Sequence, residues 1–389
     1  MNILVVAAHG LYDDYGVSFV HSQAKEYIRA GHHVRAIVPV AIGKRVTDAG
    51  NISAPVTRRV QDGVEIYYLR YPSLGHGGEN GFNPASAQFT VRLFMGALLR
   101  GFAPDIIHAH AILFAGRIAV DIGAHCGAPV VITTHGGDTD LALTPRENTR
   151  AARICRAAAC VAAVSGVYAE KARRIGGSAP VVCILNGFNA VNLRPDAKRR
   201  RSIIQVCSLT ARKHVDVSLM AVARLREKYE DVSFTVVGSG RERVGLEKLM
   251  HEQGLDGCVE FCGFLPNDET MARMAQSEIF LLPSVDEGFG IAYIEAMASG
   301  CVAIGTQGEG ISSVITTGEN GFLVPPLDTD AIVAVIGRCF DSPEYAARIA
   351  EKGRESAMSL TWERNAAEYI ALFERILNGE RGAADGAEL

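Results

Sequence analysis

EIFLLPSVDEGFGIAYIEAMASGCVAIGT, residues 278–306, decides the fold. An apolar run (278–282) stops at Pro283, and a loop then carries Asp286, Glu287, Gly288, Phe289 and Gly290. A helix-length stretch follows to about Gly300, and a second apolar run opens at Cys301. This is one βαβ unit. Its runs are continuously apolar rather than alternating, which marks strands buried on both faces, as in parallel sheets covered by helices. Two glycines beside the helix start let the backbone approach a ligand, and the free N–H groups and helix dipole there favour an anion such as phosphate. A carboxylate among such amides repels the anion, so its useful role is to accept hydrogen bonds from hydroxyls flanking the phosphates. Glu287 and Glu295 therefore suit a sugar–phosphate–nucleoside.

The same alternation extends outward along the chain. Apolar runs at 3–8, 33–38, 64–69, 105–109, 129–134, 160–164 and 181–185 form one series, and runs at 202–206, 233–237, 258–262, 278–282, 301–305 and 321–324 a second. Helical stretches separate them, which predicts an α/β protein with two doubly wound domains. RPDAKRRR (194–201) lies between the series and reads as the linker, its basic run either a solvated hinge or an attractor of phosphate or anionic lipid. The expected domains are 1–193, joined by a C-terminal helix (363–378), and 202–362. Ligands of doubly wound folds bind in the loops leaving the carboxyl ends of the strands, so the site is sought there.

Composition narrows the alternatives. Hydrophobic residues make up 48% of the 389 and charged residues 21%, which excludes a disordered or fibrous chain. A net charge of -4 is too balanced for a non-specific nucleic-acid coat, so no nucleic-acid partner is expected. The nine cysteines show no zinc or redox spacing and read as small buried hydrophobes in a reducing cytosol, Cys183 and Cys301 among them. MNILVVAAHG reads as a buried strand rather than a signal peptide, and no run approaches the roughly 18 apolar residues of a membrane span. The expected location is cytoplasmic. FTVRLFMGALLRGF (89–102), with Arg92 and Arg100, either touches the inner face of a membrane or is a buried interdomain helix, and burial is the reading adopted.

The pattern Glu287-GFGIAYI-Glu295, in its PS-x-x-EGFG-x-x-x-x-EAMA-x-G context, resembles the signature of retaining GT-B glycosyltransferases of family 4 (group 1), of the polysaccharide-building type. The resemblance implies two Rossmann-like domains facing a central cleft. It puts Glu287 on the donor sugar hydroxyls, Glu295 on the nucleoside ribose, and Gly288, Phe289 and Gly290 on the donor. QVCSLTARKHVD (205–216) resembles the family's diphosphate-binding segment, with Lys213 and Asp216 matching. A cation there neutralises charge developing on the leaving diphosphate. Ser208 stands where the family commonly has Arg and His214 where it has Gly, so Arg212 is the substitute cation.

VVITTHGGDTD (130–140) resembles the family's T-H-G segment and gives His135 a sugar hydroxyl. Asp138-Thr-Asp140 spells the metal motif of the unrelated GT-A enzymes, but in this setting no metal is expected, and Asp138 contacts the acceptor or caps a helix. In DIIHAHAILFAG (105–116), His110 either lines the acceptor side or belongs to the core. Gly238 in VVGSGRER is a donor-side close approach, and backbone at Phe264 and Leu265 reads the base. Gly16, in Asp14-Tyr15-Gly16-Val17, is the remnant of an acceptor-side Gly-Gly loop.

The implied activity is that of a hexosyltransferase-like retaining enzyme, working in cell-surface polysaccharide or glycolipid biosynthesis. It takes a UDP- or GDP-linked sugar and a saccharide or lipid-linked acceptor, with no metal or other cofactor. The alternatives are a GT-B sugar-nucleotide epimerase and, given Ser208, a sugar-nucleotide-binding partner without catalysis.

Overall fold

Asn2–Ala7 (β1) shows why the apolar runs are continuous. Ile3, Val5 and Ala7 enter one core, while Leu4 and Val6 enter another. A strand with helices on both faces has no wet side, so each position is apolar. Each buried Val, Leu or Ile contributes roughly 1.5–3 kcal/mol by leaving water.

The computed structural model describes residues 1–7, 12–13, 16–17, 19–42, 54–73, 84–177, 179–189 and 198–380. Two compact units emerge, Met1–Gly187 with Trp362–Leu389, and Phe188–Thr361. In the first, Tyr12–Asp13 (β2) and Gly16–Val17 (β3) pair only with each other. His33–Ala41 (β4), Val56–Gln61 (β5), Val64–Tyr71 (β6), Ile106–His110 (β7), Val130–Thr134 (β8), Cys160–Ala163 (β9) and Val181–Cys183 (β10) join β1 in a sheet of order β10-β9-β8-β7-β1-β4-β6-β5. The helix Trp362–Leu377 belongs to this unit and buries Ala366, Tyr369, Leu372 and Phe373 in the core shared with Ile3 and Val5. In the second unit, Arg199–Val206 (β11), Ser233–Val237 (β12), Val259–Gly263 (β13), Ser277–Leu281 (β14), Val302–Thr306 (β15) and Phe322–Val324 (β16) run in the order β13-β12-β11-β14-β15-β16. All its pairings are parallel. These are the two Rossmann-like α/β units of a GT-B fold.

Four features depart from the sequence reading. First, β5 pairs antiparallel with β6 through a turn in which Asp62 and Gly63 both have positive φ (47° and 82°). An Asp-Gly dipeptide is suited to this turn, and the polar strand it makes lies at the sheet edge. Second, the segment read as a linker is strand from Arg199 onward, while 190–197 lie outside the described residues. Its basic residues serve as ties: the Arg199 N–H donates to the Gln276 carbonyl (2.8 Å), and Lys198 Nζ donates to the Ser299 carbonyl (2.8 Å) just beyond the helix Ile291–Ala298. A cation is favoured at such a C-terminal end.

Third, Cys183 is exposed, because β10 is the other edge of its sheet, whereas Cys301 is buried as expected. Fourth, the stretch read as buried is only half so. The helix Pro84–Leu98 buries Ala87, Thr90, Val91, Met95 and Leu98, but leaves Phe89 and Leu93 68% and 69% exposed. Those two stand one turn apart on the opposite face. Among the described residues no helix is long and apolar enough to cross a membrane.

Candidate functional site

In the second unit the chain runs outward from β11 to β12 and β13, then returns on the other side as β14. The switch point thus falls between the carboxyl ends of β11 and β14, where doubly wound folds take their ligands. Lys213 follows β11 and Glu287 follows β14. Although 74 residues apart in sequence, their side chains form an ion pair. The side chains are only 10% and 12% exposed.

The surrounding backbone fixes this pair. Lys213 closes a short 3-10 turn, Ala211–Lys213, and its carbonyl accepts from Gln205 Nε2 at 2.9 Å. His214, where glycine is common in the family, takes a left-handed conformation (φ 45°) and starts the helix Val215–Arg226. The turn grips the glycine loop: Val285 N–H donates to the Arg212 carbonyl (2.9 Å), and Arg212 Nη1 donates to the Asp286 carbonyl (3.0 Å). On the other side Glu287 N–H donates to Glu309 Oε2 (2.7 Å), and Gly310 N–H to the Glu287 carbonyl (3.0 Å).

A Cβ on Gly310 would stand 2.0 Å from the Gly288 carbonyl oxygen, so only glycine fits there. Gly290, at φ 80°, opens the helix Ile291–Ala298, and a Cβ on it would strike the Tyr293 ring at 2.5 Å. Gly288 and Phe289 are buried, so this loop offers backbone rather than the Phe289 ring. Sequence reading gave Glu309 and Gly310 no role at the site, although a Glu flanked by glycines in a post-strand loop resembles Glu287 with the glycines that follow it.

Glu295 lies one turn into that helix. Burial pushes its carboxyl above the ordinary glutamate range, opposed by a hydrogen bond from Asn267. Asn267 begins the helix Asn267–Ala275, directly after Phe264 and Leu265, so the residues expected to meet ribose and base share one neighbourhood. Phe264 is exposed and Leu265 half-buried. Gly238, expected as a donor-side close approach, packs tightly against the chain itself. A Cβ there would stand 1.8 Å from the Cys207 carbonyl oxygen, so its missing side chain admits the chain's own backbone. Gly240 does the same for Leu209, at 2.2 Å. Both glycines close the β12 loop onto the segment leading to Lys213.

The first unit carries a second cluster, at the ends of β7 and β8. His110 Nδ1 lies 3.0 Å from His135 Nε2, and the rings are stacked within 14°. The Phe19 ring centroid is 4.5 Å from that of His135. Asp138 is occupied by its neighbours: Oδ1 accepts the His135 N–H (2.9 Å), and Oδ2 accepts the Ile112 N–H (3.1 Å) and the Thr134 hydroxyl (2.9 Å). Burial raises its pKa while those bonds lower it. Asp140 is bound to Lys171 (2.7 Å) and to the Tyr168 hydroxyl (2.8 Å), so the two carboxylates of the D-x-D diverge.

His108, unmarked by sequence reading, is fully buried, and burial followed by the nearby His135 lowers its pKa to about 3. It contacts the Tyr27 hydroxyl (3.2 Å) and Thr133 Oγ1 (2.7 Å), and Thr133 in turn meets the Tyr369 hydroxyl (2.7 Å). Gly16 lies in β3, within the short pair, while Asp14 and Tyr15 are outside the described residues.

Comparison with known proteins gives two family matches: "Glycosyl transferase 4-like domain" over residues 16–187 and "Glycosyl transferases group 1" over residues 194–356. Among curated relatives, an MMP alpha-(1->4)-mannosyltransferase of Mycolicibacterium hassiacum is 34% identical over 47% of this chain and 45% of its own length. The GDP-mannose-dependent alpha-(1-6)-phosphatidylinositol monomannoside mannosyltransferase of Mycolicibacterium smegmatis is 27% identical over 65% of this chain and 71% of its own. Sucrose-phosphate synthase from Thermosynechococcus elongatus superposes with a TM-score of 0.77 at 20% identity, covering 97% of this chain and 99% of that one. Anabaena HepE in complex with UDP and glucose gives 0.74 at 17% identity, over 96% and 99%.

Proposed function

We propose that this chain, which belongs to the glycosyl transferases of group 1, moves a sugar from a nucleotide-diphosphate donor to an acceptor hydroxyl with retention at the anomeric carbon. The observation that carries this reading is the Lys213–Glu287 pair at the switch point of the second sheet, beside the glycine loop and helix start. A lone anion site needs no carboxylate, and a lone sugar site needs no lysine. Their juxtaposition suits a ligand that is diphosphate at one end and sugar at the other.

In this reading the diphosphate lies against the amides of Gly288–Gly290 and the N-terminus of the helix Ile291–Ala298. Lys213 stabilises charge that grows on the departing phosphate oxygen. Glu287 accepts hydrogen bonds from sugar hydroxyls, Glu295 from the ribose, and backbone at Phe264 and Leu265 meets the base. His135 is given a sugar hydroxyl by the same resemblance. The bond from the anomeric carbon to phosphate breaks, the bond to the acceptor oxygen forms on the same face, and the acceptor proton passes to the leaving phosphate. This front-face course is inherited from the family resemblance, and compensation of the diphosphate charge falls to Lys213 and amides rather than to a metal. A UDP- or GDP-linked hexose is the donor class, a reading supported by the GDP-mannose dependence named for one relative and the UDP and glucose held by one neighbour. The acceptor is a saccharide or lipid-linked hydroxyl in a surface polysaccharide or glycolipid.

Turnover of accepted nucleotide sugars by Lys213→Ala and Glu287→Ala tests the assignment. Each is expected to lose on the order of 10²–10³ in kcat, the scale of a removed transition-state electrostatic partner. Wild-type transfer by both variants would show that the site lies elsewhere.

A further inference from the structure

Gln205 interrupts the apolar run of β11 and is fully buried, directly after buried Ile203 and Ile204. Its Nε2 lies 2.9 Å from the Lys213 carbonyl oxygen. A carbonyl only accepts, so the amide nitrogen must face it. Oε1 is then left in the core, without a hydrogen-bond partner among the described residues. A buried unpaired acceptor is costly, and an apolar side chain of similar length would avoid that cost. What the amide supplies is its bond to Lys213. Lys213 stands one residue before the cap position of the helix Val215–Arg226, so its carbonyl is outside the helical ladder. The peptide that Gln205 holds joins Lys213 to His214, which takes φ 45° and ψ 48°. That left-handed conformation is disfavoured for a residue with a Cβ and open to glycine. Released, the peptide relieves the strain by turning, and Lys213 turns with it.

We infer that Gln205 is a positioning residue: its bond to the Lys213 carbonyl holds the strained Lys213–His214 peptide and so keeps the Lys213 ammonium against Glu287. The Lys213 N–H donates to the Thr210 carbonyl at 3.0 Å, so both peptide groups of the residue are tied. Only the side-chain torsions remain, and the ion pair with Glu287 fixes their end. A neutral amide does this without placing a third charge beside a buried pair, where an unmatched charge is expensive. That the held lysine stabilises a departing diphosphate rests on the proposed transfer. The placement of the lysine does not.

Acylation of Lys213 by an amine-reactive ester in the full chain, followed by peptide mass spectrometry, reads this placement without any substrate. The reference is Lys248, whose side chain is 77% exposed. Gln205→Met keeps the length of the side chain and loses the donor. In it the rate relative to Lys248 is expected to rise roughly tenfold and kcat to fall about as much, the scale of one hydrogen bond. In a His214→Gly background the same substitution should change either quantity by less than about threefold, because glycine holds the turn unaided. Gln205→Leu offers a second apolar shape should the Met variant fail to fold. Unchanged labelling of Lys213, or an equal effect in both backgrounds, would overturn the inference. If labelling responds as expected while kcat stays at the wild-type value, the positioning stands and the role of Lys213 in transfer falls.

Discussion

Lys213 and Glu287 neutralise each other where little water reaches, and this affects how variants must be read. Removing one member of a buried pair leaves an uncompensated charge, which typically costs about 3–5 kcal/mol, whereas replacing both with apolar groups costs much less. Lys213→Met/Glu287→Met is therefore expected to unfold at a higher urea concentration than either single Met variant, while remaining inactive. Equal or lower stability of the double variant would deny the coupling. Acid stability follows from the first unit. His108 is held near pKa 3 when folded, against about 6.5 when unfolded. Its contribution is complete above the unfolded value and is lost as pH falls toward 3, because the unfolded chain then binds the extra proton. His110 shifts in the same direction. Stability should drop by at least about 2 kcal/mol between pH 7 and pH 5, read from urea unfolding, and a flat profile there would contradict the buried neutral pair. Sequence left His110 between a site and the core and gave His108 no role, since a histidine in an apolar strand looks the same whether buried or lining a site.

Two elements show where pattern informs and where it misleads. The loop 286–290 was readable because its glycines stand beside a helix start, yet the clamp that holds it comes from 309–310, a segment no local rule ties to it. Gly310→Ala is expected to weaken nucleotide-sugar binding and to cost about 1–3 kcal/mol in folding, because the new Cβ meets the Gly288 carbonyl oxygen. Unchanged binding by calorimetry would remove Gly310 from the loop's support. The helix Pro84–Leu98 misled differently: it is apolar on both faces, and composition does not say which face is covered. Leu98→Ala should cost about 2–5 kcal/mol, whereas Phe89→Ser and Leu93→Ser should stay within about 0.5 kcal/mol of wild type. Substantial loss in the serine variants would mean that their face is packed in solution.

For the whole molecule, the residues proposed to hold the donor, Lys213, Glu287, Gly288–Gly290 and Glu295, all belong to one unit and to the carboxyl edge of one sheet. A nucleotide sugar binding only the folded state should raise the melting temperature in proportion to RT ln(1 + [L]/Kd), about 2.7 kcal/mol at 100 times Kd. A thermal-shift screen of UDP-, GDP-, ADP- and TDP-sugars should therefore find at least one stabilising base. No shift with any of them would weigh against the transferase reading. Continuous apolar runs determined the α/β class and the two sheets, because a strand covered on both faces admits no polar position. The Glu287–Glu295 spacing and Lys213 were equally local, each a residue type in a post-strand loop. The tertiary structure alone decided that Lys213 meets Glu287, that Gly238 packs against Cys207, and that His110 lies beside His135. Each of those facts is a contact between segments far apart in sequence, and only the order and register of the strands bring such segments together.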